Sequence, residues 1–227
     1  MATASKRITR KNLRQPDWFQ VTTEKAYDFY QDHQIQVWVA VGVLVVLLLG
    51  LWAWQAFKDQ QNTAASGEFQ RATNLFQAQN YRDAIAAFHK VQEYRWSRYA
   101  PLAYLYETNS YMALNDLDRA IAAAQRFVSA TSPDSFYRQT GLISLATAEE
   151  RKKQCKQAIE HYAEAERING PLKEKATLGK AGCDEQLGDF KTALAAYQEY
   201  LKDHPGSFVA LQIAELEAKS AAKPTGK

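Results

Sequence analysis

Hydrophobic positions along this chain follow two different rules. Between Ile35 and Phe57 they are nearly continuous, and the run IQVWVAVGVLVVLLLGLWAWQAF contains no charge. As a helix rising 1.5 Å per residue, it would span about 30 Å of hydrocarbon. Trp38 stands at one end and Trp52 and Trp54 at the other, the placing that membrane interfaces favour. A buried core helix seldom stays uncharged for so long. A cleaved signal sequence would put a shorter apolar core close behind a basic start. Here 34 residues come first, so the pattern predicts an uncleaved transmembrane helix over 35–57.

Beyond it, apolar residues recur at three- and four-residue spacing, the period of amphipathic helices. Four stretches also resemble one another: NYRDAIAAFHKV from Asn80, DLDRAIAAAQRF from Asp116, QCKQAIEHYAEA from Gln154 and DFKTALAAYQEY from Asp189. Each sets an alanine four residues before a second packing residue. The pairs are Ala84 with Phe88, Ala120 with Ala124, Ala158 with Tyr162, and Ala193 with Tyr197. The alanines are 36, 38 and 35 residues apart. Tyr81, Leu117, Cys155 and Phe190 precede them by three and extend the same stripe. The small residue lets one helix approach another closely, and the residue one turn on fills the groove beside it. Turn signals precede each stretch at Gln79-Asn80, Asn115-Asp116, Lys152-Lys153 and Gly188-Asp189. Helix pairs then end near Trp96, Pro133, Gly170 and Pro205. A repeat of this length implies a solenoid, in which each pair buries its apolar face only against its neighbours.

Composition supports helix throughout. Ten glycines and six prolines in 227 residues are too few for a turn-rich β fold. The expectation is an all-α chain: a head over 1–34, the span at 35–57, a linker at 58–66, four repeats over 67–205, a capping helix over 206–222 and a tail at 223–227. Phe208, Leu211 and Leu216 are expected to face inward on the cap. In the head, Lys6, Arg7, Arg10, Lys11, Arg14 and Lys25 give a basic character that favours a cytoplasmic N-terminus. Asp28 and Asp32 near Lys25, and Lys58 and Arg71 beyond the span, weaken that bias. After the break at Pro16, a short amphipathic helix is expected from about Thr22 into the span, with Phe19, Ala26 and Tyr30 on one side. It suits a solvated tail, an anionic lipid surface or a membrane partner.

The repeat residues resemble the tetratricopeptide repeat (TPR) family. The fourth copy carries the resemblance best, with Leu187-Gly188-Asp189-Phe190, Ala193, Tyr197 and Pro205, and the first nearly as well, with Tyr81, Ala84 and Phe88. The third departs from it, having Cys155 at the usual aromatic position and Gly170 at the usual proline. The resemblance implies a helix-turn-helix solenoid whose first helices line a partner-binding groove. Carried over by position, that groove comprises Phe69, Thr73 and Phe76, then Leu102, Leu105, Asn109 and Met112, then Ile143, Thr147 and Glu150, and finally Leu178 and Glu185. Some relatives clamp a C-terminal carboxylate with Lys and Asn there; only Asn109 matches, so an extended or amphipathic protein segment is the better guest. Any of these side chains could equally pack inside the solenoid.

A short head, one span and a compact repeat domain also resemble the YfgM-like family of bacterial inner-membrane proteins that accompany the SecYEG translocon and periplasmic folding factors. That layout implies a single-pass protein of the cell inner membrane with periplasmic repeats. Its implied partners are the translocon, folding factors or unfolded exported clients. A structural subunit of a secretion, pilus or respiratory complex, or a cytosol-facing adaptor, remain the alternatives.

Signs of catalysis are absent from the sequence. There is no HExxH, GxSxG, GxxxxGK[ST] or GxGxxG. His89 and His161 occupy equal repeat positions two copies apart, which should not converge on a metal; His33 and His204 lie elsewhere. Glu149 and Glu150 run into Arg151-Lys152-Lys153 and read as a solvated charge run. No enzyme activity, metal or cofactor is expected. After the span, 22 basic residues face 21 acidic ones, which offers nucleic acid no strong attraction. Cys155 and Cys183 fit neither a zinc nor a CxxC spacing. They open one helix and close toward the end of the next, at similar height. They are either two buried thiols or, if their Cα atoms come within about 7 Å in an oxidising compartment, a disulfide.

Overall fold

The structure, a computed structural model, describes residues 18–222, with side chains over 22–219. All secondary structure in that range is helical: α1 (Trp18–Asp32), α2 (Gln34–Gln77), α3 (Tyr81–Glu93), α4 (Tyr99–Ala113), α5 (Leu117–Ser129), α6 (Phe136–Arg151), α7 (Cys155–Arg167), α8 (Lys173–Leu187), α9 (Phe190–Asp203) and α10 (Val209–Ala222). The chain forms two compact units that meet in sequence between Phe57 and Lys58.

In the first unit, α1 begins at Trp18, earlier than the Thr22 start expected, and a turn at His33 ends it. The His33 ring stacks on Phe29 at 4.6 Å and its Nδ1 lies 3.2 Å from the Phe29 carbonyl. Ala26 and Tyr30 are exposed. Phe19's side chain, the basic residues Lys6 to Arg14, Pro16 and the tail 223–227 lie outside the described residues. The following helix is long and apolar enough to cross a membrane, and its most apolar stretch is not buried by the protein. Exposing that many large side chains to water would cost about 25 cal/mol for each Å².

The second unit begins in helix. Residues 58–66, expected as a linker, are helical, and Ala65 is fully buried. Successive helices then pack antiparallel-fashion in pairs, α3 on α4, α4 on α5, and so on to α9 on α10. The four turns inside the pairs are one device used four times. Gln79, Asn115, Lys153 and Gly188 all take left-handed backbone, with φ of 60°, 58°, 66° and 83°. In each, the next residue's N–H reaches back five residues to a carbonyl: Asn80 to Leu75 (3.0 Å), Asp116 to Tyr111 (2.9 Å), Gln154 to Glu149 (2.8 Å), Asp189 to Asp184 (2.9 Å). This closes the carbonyls left open at a helix end. Asp116 and Asp189 then cap the second helix by accepting from Arg119 and Thr192 N–H.

The alanine stripe sits where its spacing predicts. Ala84, Ala120, Ala158 and Ala193 have no exposed surface, and Phe88, Tyr162 and Tyr197 are buried beside them. The second copy moves its bulk. Its small Ala124 is compensated one turn on by Phe127, which is fully buried where the first and third copies have Val91 and Ala165. Burying such a ring contributes about 1.5–3 kcal/mol.

Gly170 has a structural reason. Gln139 on α6 is fully buried; its Nε2 donates to the Ala165 and Ile168 carbonyls (3.1 and 3.0 Å) and its Oε1 accepts from Leu172 N–H (3.3 Å). A Cβ at residue 170 would fall 2.3 Å from that oxygen.

Three further expectations change. On the capping helix, Val209, Ile213 and Leu216 are buried, whereas Phe208 and Leu211 are 66% and 77% exposed. The helix starts at Val209 rather than 206, and packing against α9 selects the 209, 213, 216 set as its buried face. Ile143 is buried in the core of the third pair, with Leu142, Tyr162 and Cys155. Glu149 is not part of a solvated run: it is 4% exposed, turned inward by the helical period while Arg151–Lys153 face out.

Candidate partner-binding face

The first helices of the pairs form a row, since α6 touches both α4 and α8. At its start, Phe69 and Phe76 do not stand free. They are half-buried around Tyr106 of α4, edge-on at 5.4 and 5.6 Å, with Phe88 stacked on the same ring at 5.4 Å. Tyr99 and Tyr81 complete the cluster against Phe69 and Phe76. Thr73 returns its hydroxyl to its own helix, donating to the Gln70 carbonyl at 2.9 Å. Tyr106, next to Leu105 in sequence, centres this cluster although repeat spacing did not mark it. Copy one of the face is therefore aromatic and largely self-filled.

Copy two is apolar and accessible. Leu102, Leu105, Asn109 and Met112 are half-buried along α4. Met112 leans on the core formed by Ile85, Tyr111 and Ala120. Leu102 helps line a cavity of about 260 Å³ with Arg98, Pro101, Phe127 and Tyr137.

Copies three and four are polar and connected. The buried Tyr162 ring passes over Gly179, where a Cβ would come within 2.4 Å of Cζ. Its hydroxyl donates to Glu150 Oε2 at 2.9 Å and lies 3.1 Å from Thr147 Oγ1. Burial, with Glu150 alongside, pushes that phenol above its ordinary range. Glu150 Oε1 also accepts from Gln186 Nε2 (3.0 Å), and Gln186 in turn accepts from Lys153 Nζ (3.3 Å). Glu185 pairs with Lys219 of the capping helix at 3.2 Å. Leu178 packs toward Ala181, Ala193 and Leu216. Tyr197 is pushed up to about 12, by burial first and then by Glu185 and Glu150. Of the twelve positions carried over, the structure joins Thr147 and Glu150 through Tyr162, while Glu185 pairs separately with the cap. It removes Ile143 and ties up Phe69 and Phe76.

The histidines act inside this frame. His89 Nε2 meets the buried Glu107 at 2.9 Å, which also accepts from Gln92 at 2.6 Å. His161 Nδ1 meets the buried Glu149 at 2.7 Å, and that hydrogen bond raises its pKa against the opposing effect of burial. Each histidine thus gives a buried glutamate a hydrogen-bond partner, alongside Gln92 in the case of Glu107. Among the described residues, no group of three or more His, Cys, Asp or Glu is placed to hold a metal. Cys155 and Cys183 are buried free thiols. They are neighbours in the core, and burial above all, with Cys155 alongside, pushes the Cys183 thiol up.

Matching turns at one repeat position, an alanine stripe and a row of first helices describe one family. Residues 27–219 match the tetratricopeptide repeat-like domain. The chain belongs to that family. Solved TPR structures share the fold. PilW, described as a widely conserved type IV pilus biogenesis factor, matches with a TM-score of 0.58 at 21% identity, over 70% of this chain and 71% of that one. YrrB, a TPR protein with an unusual peptide-binding site, matches with a TM-score of 0.55 at 18% identity, over 69% and 78%. MamA matches with a TM-score of 0.59 at 17% identity, over 69% and 82%. No curated protein matches in sequence. The TPR assignment makes this chain a scaffold for protein–protein interaction.

Proposed function

We propose that the chain is a membrane-anchored TPR scaffold that gathers segments of other proteins onto its first-helix face. The supporting observation is the division of that face. Half-buried Leu102, Leu105 and Met112 lie on α4, Glu150 lies on the neighbouring α6, and Glu185 lies on α8 beyond it. An extended segment with apolar residues followed by a basic one would fill the first part and meet the carboxylates in the second. The 35–57 segment serves as the anchor, with the head inside the cell and the repeats exported. Tethering raises the local concentration of the face at the membrane, so weak contacts suffice. In this reading the protein assists the secretion translocon or newly exported proteins.

The test is photocrosslinking in cells from Leu105 and Asn109, combined with protease access to a C-terminal tag in spheroplasts and in inverted vesicles. Many exported clients and digestion only in spheroplasts are expected. One stoichiometric partner would instead make the chain a fixed subunit of an envelope assembly. Digestion only in inverted vesicles would place the repeats in the cytosol and end the exported-helper reading.

A further inference from the structure

Apart from Phe208 and Leu211 at the capping helix, the second unit exposes large apolar side chains at two kinds of place. Leu114 and Leu187 sit at the turns within pairs. Trp96, Phe136 and Tyr137 sit where one pair crosses to the next, and are 56%, 50% and 51% exposed. Trp96 lies in the run Tyr94-Arg95-Trp96-Ser97-Arg98-Tyr99. That crossing is held, not loose. Ser97 is buried, its N–H donates to the Tyr94 carbonyl (2.9 Å), and its hydroxyl accepts from Ala100 N–H (3.1 Å). Arg95, Trp96 and Arg98 are left facing out.

The next crossing joins the same surface. Arg98 and Tyr137 line one cavity, and Arg95 lines a second, of about 420 Å³, with Ala130. Glu93 and Asp134 border the patch, so ring burial rather than net charge would lead its binding. Exposed tryptophan and tyrosine between arginines is the composition that lipid headgroup layers accept, ring in the interface and guanidinium at the phosphates.

Covalent chain length bounds how far this crossing can lie from the 35–57 segment. Arg98 N–H donates to the side chain of Asn62 at 2.9 Å. Five residues, 58 to 62, connect that point to the end of the 35–57 segment. Even fully extended they reach only about 18 Å. The turns carrying Leu114 and Leu187 have no such tie.

We propose that Arg95, Trp96, Arg98, Phe136 and Tyr137 form a surface that rests in the headgroup layer of the bilayer. This rests on the anchor reading given under Proposed function. It would give the scaffold a second, non-covalent hold on the membrane and so restrict how its partner-binding face is presented.

The experiment uses the full chain in vesicles of phosphatidylcholine and phosphatidylglycerol, part of the lipid brominated high on the acyl chain. Two single-tryptophan variants are compared, one keeping Trp52 and one keeping Trp96, the others replaced by Phe. Circular dichroism checks that both remain helical. Bromine is expected to quench both, and Arg95→Glu with Arg98→Glu to relieve quenching at Trp96 while sparing Trp52. Quenching of Trp52 without Trp96 overturns the surface and keeps the anchor, leaving the patch to water or a protein partner. Quenching of neither overturns the anchor reading, and this one with it.

Discussion

Single residues carry the repeat's punctuation. Only the last of the four left-handed turn positions is glycine; Gln79, Asn115 and Lys153 hold the same conformation with a side chain. Left-handed backbone costs an ordinary residue about 1–2 kcal/mol. Gly188→Ala, although open space surrounds that position, should therefore destabilise by about 1 kcal/mol, and Lys153→Gly should stabilise by up to about 1 kcal/mol, both read by urea unfolding. Gln139 is a different kind of keystone. Gly170→Ala should displace its side chain, and Gln139→Ala should strip three hydrogen bonds from the α7–α8 loop. Each should cost about 2 kcal/mol, and the double variant less than their sum, because both remove one arrangement. His161 makes stability depend on pH. Its folded pKa is raised, by Glu149 first and also by Glu164 and Glu160. The contribution is complete below the unfolded value of about 6.5 and is lost as pH climbs through the raised folded value. The melting temperature of wild type relative to His161→Gln should accordingly fall as pH rises from about 6.5 through the raised folded value and level off above it.

At the scale of elements, period and spacing were legible wherever an element is amphipathic and repeated. Helices α3, α5, α7 and α9 fall where the alanine stripe and turn signals place them. The cap was legible as a helix but not in its face. SFVALQIAELEA offers two apolar sets, and only the position of α9 chooses Val209, Ile213 and Leu216 over Phe208 and Leu211. Leu216→Ala should cost about 3 kcal/mol by opening a cavity, while Leu211→Ala should leave stability nearly unchanged; thermal unfolding of the two variants separates them. The second copy teaches the same lesson, since Phe127 fills the space that Ala124 leaves and no spacing rule in one stretch announces the exchange.

For the whole molecule, the second unit is a chain of nearest-neighbour contacts. Interactions pass from copy to copy at about one repeat length: Arg151 to Asn115, Lys152 to Asp118, Gln186 to Glu150, Lys219 to Glu185. Stability in such arrays is close to a sum of local pair and interface contributions. Hydrogen exchange should therefore be slowest in α4 to α7, at the centre of the array, and fastest in α10, covered on one side only. Uniform exchange across all helices would contradict that picture.

The sequence by itself determined the helical class, the repeat and its phase, and one segment suited to a membrane. Those features depend on spacing along the chain, and helical geometry converts spacing directly into a face. Tertiary structure decided what depends on partners far apart in sequence. It buried Ile143 and Glu149, gathered Phe69 and Phe76 around Tyr106, linked Glu150 to Gln186, and set Gly170 against Gln139. In each case the outcome turns on which side chain arrives from the neighbouring copy, and a periodic pattern is the same whether the position it marks is met by a ring, a carboxylate or water.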